Sequence, residues 1–167
     1  MQKKYTSLGL MSGTSGDGVD ASIIYSNGID RFEVVKNKYF EYDSKLYDSF
    51  HSIKEKISNI KDLEKISNEL LDLEKKITFF HAKIIKELEF NNEDFLVGFH
   101  GQTIYHNSKE KISKQLGDAK LLNQLTGKKI IFNFRKNDIQ NGGEGAPLAP
   151  IFHQLIATQN NIMLPVC

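Results

Sequence analysis

The sequence predicts a mixed α/β fold, in which a mixed sheet opens with an antiparallel meander and is flanked by helices. The first forty residues alternate apolar or β-branched segments with glycine-bearing turns, which is typical of strands joined by tight connections. From Leu46 to Leu88, apolar residues recur every three or four positions, which is the period of a helix. The last third alternates short strand-like and helix-like segments, as α/β domains do.

Three strands are expected at the start of the chain, over Tyr5–Met11, Val19–Tyr25 and Arg31–Phe40. The first two are separated by Ser12-Gly-Thr-Ser-Gly-Asp-Gly18, whose glycines tolerate the positive φ angles that turns require. Asn27-Gly28 is a second turn signal. Because short turns join consecutive strands antiparallel, the three should form a meander.

The middle of the chain carries one apolar helical face, with Lys, Glu, Asp and Asn on the other faces. Its members are Leu46, Phe50, Ile53, Ile57, Ile60, Leu63, Ile66, Leu70, Leu73, Ile77, Phe80, Ile84 and Leu88. Ser58-Asn59 should divide the region into a shorter and a longer helix. A long helix packed on its own sheet produces this stripe. So does a coiled coil, in which case the chain is a non-enzymatic interaction module that associates through the helix.

Four short elements are expected in the last third. They are a strand over Phe95–Phe99, a helix over Asp118–Leu125, a strand over Lys129–Phe134 and a helix from about Ala149 to Ala157. Gly127 is the residue type that helices prefer just past their end. Polar, glycine-bearing loops follow the strands, and such loops are where α/β folds place ligands.

Composition argues against several classes of protein. The formal net charge of +1 gives no electrostatic reason to expect a nucleic-acid or membrane partner. The only cysteine is Cys167, so an intrachain disulfide and a cysteine-based metal cluster are both impossible. The apolar run Leu8–Met11 is too short for a signal peptide or a membrane span. We therefore expect a cytoplasmic protein of one domain, or one lobe of a two-lobed protein.

The first connection is the sharpest candidate for a binding site. Its residues are Gly13, Thr14, Ser15, Gly16, Asp17, Gly18, Val19 and Asp20. Glycines let backbone N–H groups approach an anion, while Thr14 and Ser15 add hydroxyl donors. Asp17 and Asp20 can orient magnesium through water. The Lys-Ser/Thr ending of a Walker loop is missing, and a simple turn between strands remains the alternative.

The segment His100-Gly-Gln-Thr-Ile-Tyr-His106 is a second candidate. Gln102 and Thr103 can hydrogen-bond sugar hydroxyls or amides, and His100 or His106 can act as a donor or base. The alternative is a capped strand end with one buried, satisfied histidine. No carboxylate or cysteine stands beside these histidines at ligand spacing, so no side-chain metal site is expected.

The third candidate runs from Asn133-Phe-Arg135 through Asp138 to the glycine- and proline-rich stretch Gly142–Pro150, which includes Glu144. An arginine at a strand end can grip a phosphate or carboxylate with two parallel hydrogen bonds. The glycines permit close approach of the backbone to a ligand. The same residues also suit a tight connection into a helix, so both interpretations stay open.

In this order and spacing, the three segments resemble the 1,6-anhydro-N-acetylmuramic acid kinases. The matching stretches are Gly9–Asp20, His100–His106 and Asn133–His153, with Gln115–Asp118 and Leu122–Gly127 between them. The resemblance implies that residues 1–167 form the N-terminal, phosphate-loop lobe of a two-lobed kinase. The implied fold is the actin-like one shared by acetate and sugar kinases and the heat-shock chaperones.

The resemblance also implies a reaction. ATP, with magnesium, would phosphorylate O6 of the anhydro sugar while water opens the 1,6-anhydro bridge, giving N-acetylmuramic acid 6-phosphate in cell-wall recycling. ATP would be bound by Gly13–Asp20, and Asp17 would reach magnesium through water. The implied substrate residues are His100, Gln102, Thr103, Arg135, Asp138 and Glu144.

Several features depart from the family pattern. Gly16 replaces a larger apolar residue, which should loosen the loop, while Asn133 replaces Asp and Glu144 replaces Gln. Family members continue about twice as far, into a lobe whose Asp-x-Gly-Pro-Gly-Asn segment holds the catalytic Asp. We therefore expect the C-terminal lobe to be absent, assign no catalytic base, and expect the chain alone to be inactive, whether it is an expressed fragment or a truncated reading frame. A lobe separated at its cleft exposes apolar surface, so we also expect that it can dimerise.

Overall fold

A computed structural model of the chain describes residues 4–88 and 95–162, and it confirms the mixed α/β class. The strands are β1 (Tyr5–Ser12), β2 (Gly18–Ser26), β3 (Phe32–Glu41), β4 (Leu96–Asn107), β5 (Ile112–Leu116) and β6 (Lys129–Ile131). The helices are α1 (Ser44–Lys54), α2 (Ile60–Lys65), α3 (Ser67–Glu87), α4 (Ala119–Thr126), α5 (Phe134–Gln140) and α6 (Pro150–Gln159).

The strands form one mixed sheet in the order β3-β2-β1-β4-β5, and β6 pairs with β4 as well. β1–β2 and β2–β3 are antiparallel, which confirms the predicted meander. β4 runs parallel to both β1 and β6, with Val97 opposite Leu8 on one side and Ile130 on the other. The segments that follow β1 and β6 therefore leave the same edge of the sheet, on either side of β4.

Most of the apolar helical face packs into the chain's own core, while Ile60 at the start of α2 is exposed. Phe50, Leu73 and Ile77 are at most 1% exposed and belong to the same cluster as Leu8 and Val97 of the sheet. This is the arrangement expected of long helices packed on their own sheet. The region contains three helices, one more than the two that the sequence predicted.

Two local features divide this helical region. Asn59 begins α2 with a capping box that Asp62 completes, which satisfies the free N–H groups of a helix start. Ile66 then leaves helical geometry, with φ −108° and ψ 24°. The first break was predicted at Ser58-Asn59, whereas a β-branched residue on an apolar face gave no signal for the second. No helix among the described residues is both long and apolar enough to cross a membrane.

The last third differs from the prediction at three places. β4 does not end at Phe99 but continues to Asn107, past an irregularity where Gly101 has a φ of 73°. It then pairs with β5, a strand that the prediction lacked. β6 ends at Ile131, and Phe134, which we expected in that strand, begins α5 instead. The predictions of α4 and α6 are confirmed.

Candidate functional site

The first loop, Gly13–Asp17, connects β1 to β2 in a fixed shape. The N–H of Gly16 donates to the carbonyl of Gly13 at 3.2 Å and closes a turn. Lys54, at the end of α1, donates to the carbonyl of Thr14 at 2.6 Å. The N–H of Tyr42 donates to the carbonyl of Asp17 at 2.9 Å. One bond therefore closes the loop on itself, and two bonds tie its carbonyl groups to the rest of the protein.

The exposed residues of the first loop are Thr14, Ser15 and Asp17, which supply hydrogen-bond donors and one carboxylate. Within residues 4–88 and 95–162, the backbone N–H groups of Thr14 and Ser15 have no hydrogen-bond partner. The hydroxyl of Ser15 donates to Asp17 at 2.7 Å, and this bond lowers the pKa of the exposed Asp17 carboxyl. Two adjacent free N–H groups are a favourable arrangement for an anion, with an ionised carboxylate beside them.

Two glycines in and beside the loop, Gly16 and Gly18, are required by close packing. Gly16 is buried with a φ of 68°, and a Cβ there would overlap the ring of Phe50. The expectation that Gly16 loosens the loop is therefore wrong, because the ring occupies the space that a larger residue would need. A Cβ at Gly18 would collide with the carbonyl of Phe40 and the hydroxyl of Tyr39. Gly18 thus allows close pairing of β2 with β3.

The remaining two residues of the first candidate lie within β2. Val19 is fully buried, with 0% exposure, so its side chain belongs to the core and not to a ligand site. Asp20 is exposed and lies opposite Met11 and Tyr39 in the sheet. Within the first candidate segment, the residues that remain available to contact a ligand are therefore Thr14, Ser15 and Asp17.

A buried polar network lies under the first loop. Gln102 of β4 donates from Nε2 to the carbonyl of Gly13 at 2.8 Å and accepts at Oε1 from the hydroxyl of Tyr42 at 3.1 Å. The hydroxyl of Ser12 lies 3.3 Å from that of Tyr42 and 3.4 Å from Nε2 of His81. His81 of α3 in turn uses Nδ1 to donate to the carbonyl of Ile77 at 2.8 Å.

Both titratable members of this network are neutral at physiological pH. Burial lowers the pKa of His81 to about 4 and raises the pKa of Tyr42 to about 12. Sequence reasoning missed Ser12, Tyr42 and His81 as parts of the site. The one available signal was His81 itself, a histidine late in the helical region and four residues after Ile77 of the apolar stripe.

The second and third candidate segments meet at Arg135. Its Nε donates to Nε2 of His100 at 2.7 Å, and its Nη1 donates to the carbonyl of Gly145 at 2.8 Å. His100 donates from Nδ1 to the carbonyl of Gly101 at 2.7 Å, which leaves Nε2 as the acceptor. Burial, and then the neighbouring guanidinium, lower the pKa of His100. His100 is therefore a neutral support for Arg135, and its lone pair is not free to act as a base.

The other predicted substrate residues have different surroundings. Thr103 is 7% exposed and accepts from Gln115 at 3.3 Å, so it is packed inside the sheet, as Gln102 is. Asp138 accepts from the N–H of Gly145 at 2.8 Å and so shapes the second glycine run. Glu144 is exposed. Of the six predicted substrate residues, Gln102 and Thr103 are therefore the two whose polar groups are enclosed by the protein.

β4 brings the three segments together. Gln102 contacts the first loop, and His100, two residues earlier in β4, contacts Arg135 and through it Gly145. Asn133 adopts a φ of 62° where the chain turns from β6 into α5, so Arg135 lies in the first turn of that helix and not at a strand end. Within the described ranges, no three acidic, histidine or cysteine side chains are grouped closely enough to hold a metal ion.

Comparison with known proteins gives a consistent result. The family model for anhydro-N-acetylmuramic acid kinase matches residues 5–166. A protein of that name from Pelagibacter ubique is 57% identical over 169 residues, covering 100% of this chain. Those from Agrobacterium fabrum and Gluconobacter oxydans are 34% and 36% identical, each covering 91% of the chain. The match takes in 45%, 42% and 42% of these relatives, so the chain spans less than half of their length.

Proposed function

We propose that this chain, which belongs to the anhydro-N-acetylmuramic acid kinase family, forms the phosphate-binding lobe of an ATP-dependent sugar kinase. The proposed location of the enzyme is the cytoplasm. The proposed reaction transfers the γ-phosphoryl group of ATP to O6 of 1,6-anhydro-N-acetylmuramic acid. Water adds at the anomeric carbon and the 1,6-anhydro bridge opens, so the product is N-acetylmuramic acid 6-phosphate.

One observation supports this proposal above the others. The N–H groups of Thr14 and Ser15 are free, and both residues are exposed, in a loop whose Gly13, Thr14 and Asp17 carbonyls are already hydrogen-bonded. Such a loop can bind phosphate oxygens without first being rearranged. Fixed donors are also effective in phosphoryl transfer, because positioning and charge stabilisation supply most of its catalysis.

Asp17 is the residue that fits magnesium best. Its carboxylate is exposed, and the hydrogen bond from Ser15 favours its ionised form. One carboxylate with water and nucleotide phosphates is a usual environment for this ion. When bound, magnesium would neutralise charge on the transferred phosphoryl group. In the proposal, Asp17 orients the hydrated ion and Thr14 and Ser15 bind the phosphates.

Arg135 is the proposed contact for an anionic group of the substrates, either a phosphate or the lactyl carboxylate of the sugar. Its Nε and Nη1 bond to His100 and Gly145, whereas its Nη2 group has no hydrogen-bond partner among the described residues. The water that opens the bridge needs a general base. We assign none to this chain and propose that it lies in the part of the relatives that the chain does not match.

Phosphorus NMR of reactions catalysed by the natural full-length protein tests the proposal. With ATP, magnesium and the anhydro sugar, we expect a sugar 6-phosphate signal that grows in step with ADP. N-acetylglucosamine, which has no anhydro bridge, serves as the control substrate and should give far less product. Release of inorganic phosphate alone, or equal phosphorylation of the two sugars, would contradict the proposed reaction.

A further inference from the structure

We propose that Gln102 is a positioning residue that holds the first loop in its anion-binding shape, and that Tyr42, Ser12 and His81 hold Gln102 in place. The inference rests on the proposed function, since it assigns to these side chains the task of presetting the phosphate donors. None of the four needs to touch a ligand.

The carbonyl of Gly13 accepts two hydrogen bonds. One comes from the N–H of Gly16 at 3.2 Å and closes the turn. The other comes from Nε2 of Gln102 at 2.8 Å and fixes the direction of the carbonyl. The N–H of Thr14 belongs to the same planar peptide unit as this carbonyl, so rotation of that unit would change where this N–H points. The N–H of Ser15 belongs to the next peptide unit of the same turn.

The orientation of Gln102 depends on its other partners. A reversed amide would place Oε1 against the carbonyls of Gly13 and Thr103, which are both acceptors. In the observed orientation, Oε1 accepts from Tyr42 instead. The hydroxyl of Tyr42 thus favours the amide orientation that binds the loop, and Ser12 and His81 lie behind it.

Water cannot substitute for these contacts, because the network is closed to solvent. The exposed fractions are 0% for Gln102, 0% for His81, 1% for Ser12 and 5% for Tyr42. Buried polar groups are costly unless they are fully bonded. A network that served stability alone could be replaced by apolar side chains. Gln102, however, connects this network to the carbonyl of Gly13 in the first loop. This contact indicates that the network positions the loop.

The test is the affinity of the natural full-length protein for magnesium-ADP, measured by titration calorimetry well below each variant's melting temperature. Gln102→Met keeps the volume but removes the hydrogen bonds to Gly13 and Tyr42, and we expect its Kd to rise about tenfold, since small displacements of bound groups are costly. Tyr42→Phe leaves the bond from Gln102 to Gly13 in place but removes the group that orients the amide. We therefore expect a smaller effect, a rise in Kd of about threefold.

Two matched controls separate positioning from general destabilisation. Thr78→Val removes a buried hydroxyl that binds Glu74 and Asp118, away from the loop, and should lower the melting temperature with the Kd unchanged. Tyr105→Phe removes a hydroxyl that binds Glu110, and should leave both quantities unchanged. An increase in Kd in Thr78→Val as large as in Gln102→Met would overturn the inference.

The amide signals of Thr14 and Ser15 provide a readout that does not depend on nucleotide. They should shift in Gln102→Met and Tyr42→Phe and stay in place in the two controls. If Gln102→Met does not fold, Tyr42→Phe decides the question. A wild-type Kd with unshifted loop amides in the decisive variant overturns the positioning role alone. Failure of the wild-type protein to bind magnesium-ADP overturns the proposed function, and the inference with it.

Discussion

The two glycine-rich loops of the chain are held in different ways. The first loop, Gly13–Asp17, lies on the ring of Phe50 and on the buried amide of Gln102. The second, Gly142–Gly145, is held by Arg135 and Asp138, which are both partly exposed. A Cβ at Gly142 would meet nothing within 4 Å, whereas one at Gly16 would overlap the Phe50 ring.

The first loop is therefore shaped by buried residues of the core, whereas the second is shaped by hydrogen bonds from partly exposed neighbours. Folding orders the first loop, so little conformational entropy remains to be lost when an anion binds. The second loop has open space around Gly142, and a ligand at Arg135 can compete for the guanidinium that holds Gly145. This difference is consistent with the proposed roles, in which the first loop binds phosphate and the second makes adjustable substrate contacts.

Alanine at Gly16 and at Gly142, one positive-φ glycine from each loop, should give the largest contrast. Gly16→Ala combines a left-handed backbone with overpacking against Phe50, and we expect a loss of about 3 kcal/mol in the free energy of unfolding. Gly142→Ala carries the backbone strain alone, and we expect about 1.5 kcal/mol. Urea unfolding measures both. In Gly16→Ala/Phe50→Leu the two penalties should be less than additive, and additive penalties would mean that the ring does not restrict position 16.

Asp17→Asn should separate function from stability in the first loop. The exposed side chain can still accept from Ser15, so the melting temperature should stay nearly unchanged. Turnover by the natural full-length protein should fall about 100-fold, because the charge that orients magnesium is lost. Glu144→Gln, an exposed change in the second loop, is the matched control and should have a much smaller effect. Wild-type turnover in Asp17→Asn at saturating magnesium and ATP would exclude the first loop as the phosphate site.

The buried support of the first loop should make stability sensitive to acid. The pKa of His81 is about 4 in the folded protein, against about 6.5 when unfolded. The unfolded state therefore binds a proton first, and stability falls as the pH drops below 6.5. By linkage, we expect a loss of about 2 kcal/mol between pH 7 and pH 5. His100, whose pKa is also lowered, adds to it in the same direction.

Urea unfolding at pH 7, 6 and 5 measures this dependence. His81→Asn should lose most of it, while His106→Gln, at an exposed position, should retain it. A slope in His81→Asn as steep as in the wild-type protein would show that another group causes the acid sensitivity.

Asp138→Ala should have the smallest effect. It removes the acceptor for the N–H of Gly145, and we expect a loss of about 1 kcal/mol, typical of one hydrogen bond. Amide exchange should show faster exchange at Gly145 with no change at Gly16, whose bond to Gly13 is independent of it. Faster exchange at both glycines would mean that the two loops are coupled more tightly than their separate supports suggest.

Local signals in the sequence predicted most elements. Periodicity identified the buried helical face, and turn residues identified the meander, α4 and α6. The irregular path of β4 could not be predicted, because His100-Gly-Gln-Thr looks like the end of a strand when its partner β5 is unknown. Asn133 is of a residue type that tolerates positive φ, but its place after the apolar residues Ile130, Ile131 and Phe132 favoured continuation of the strand.

The sequence identified which segments form the candidate site, but it did not identify what each residue in them contacts. Motif spacing identified Gly13–Asp17 and Arg135, whose functions depend on local chemistry. It could not show that Gln102 faces inward, because this depends on contacts with Tyr42 and Gly13, which lie 60 and 89 residues away in the chain. The role of Gly16 was hidden for the same reason, since Phe50 lies in a different element.

A crystal structure of the natural full-length protein with magnesium-ADP tests the central claim most directly. We expect phosphate oxygens within hydrogen-bond distance of the N–H groups of Thr14 and Ser15, with Asp17 facing the metal's water shell. The bond from Gln102 to the carbonyl of Gly13 should be unchanged. Phosphates bound elsewhere, with the first loop as it is here and its N–H groups facing solvent, would contradict the assignment of this loop as the phosphate site.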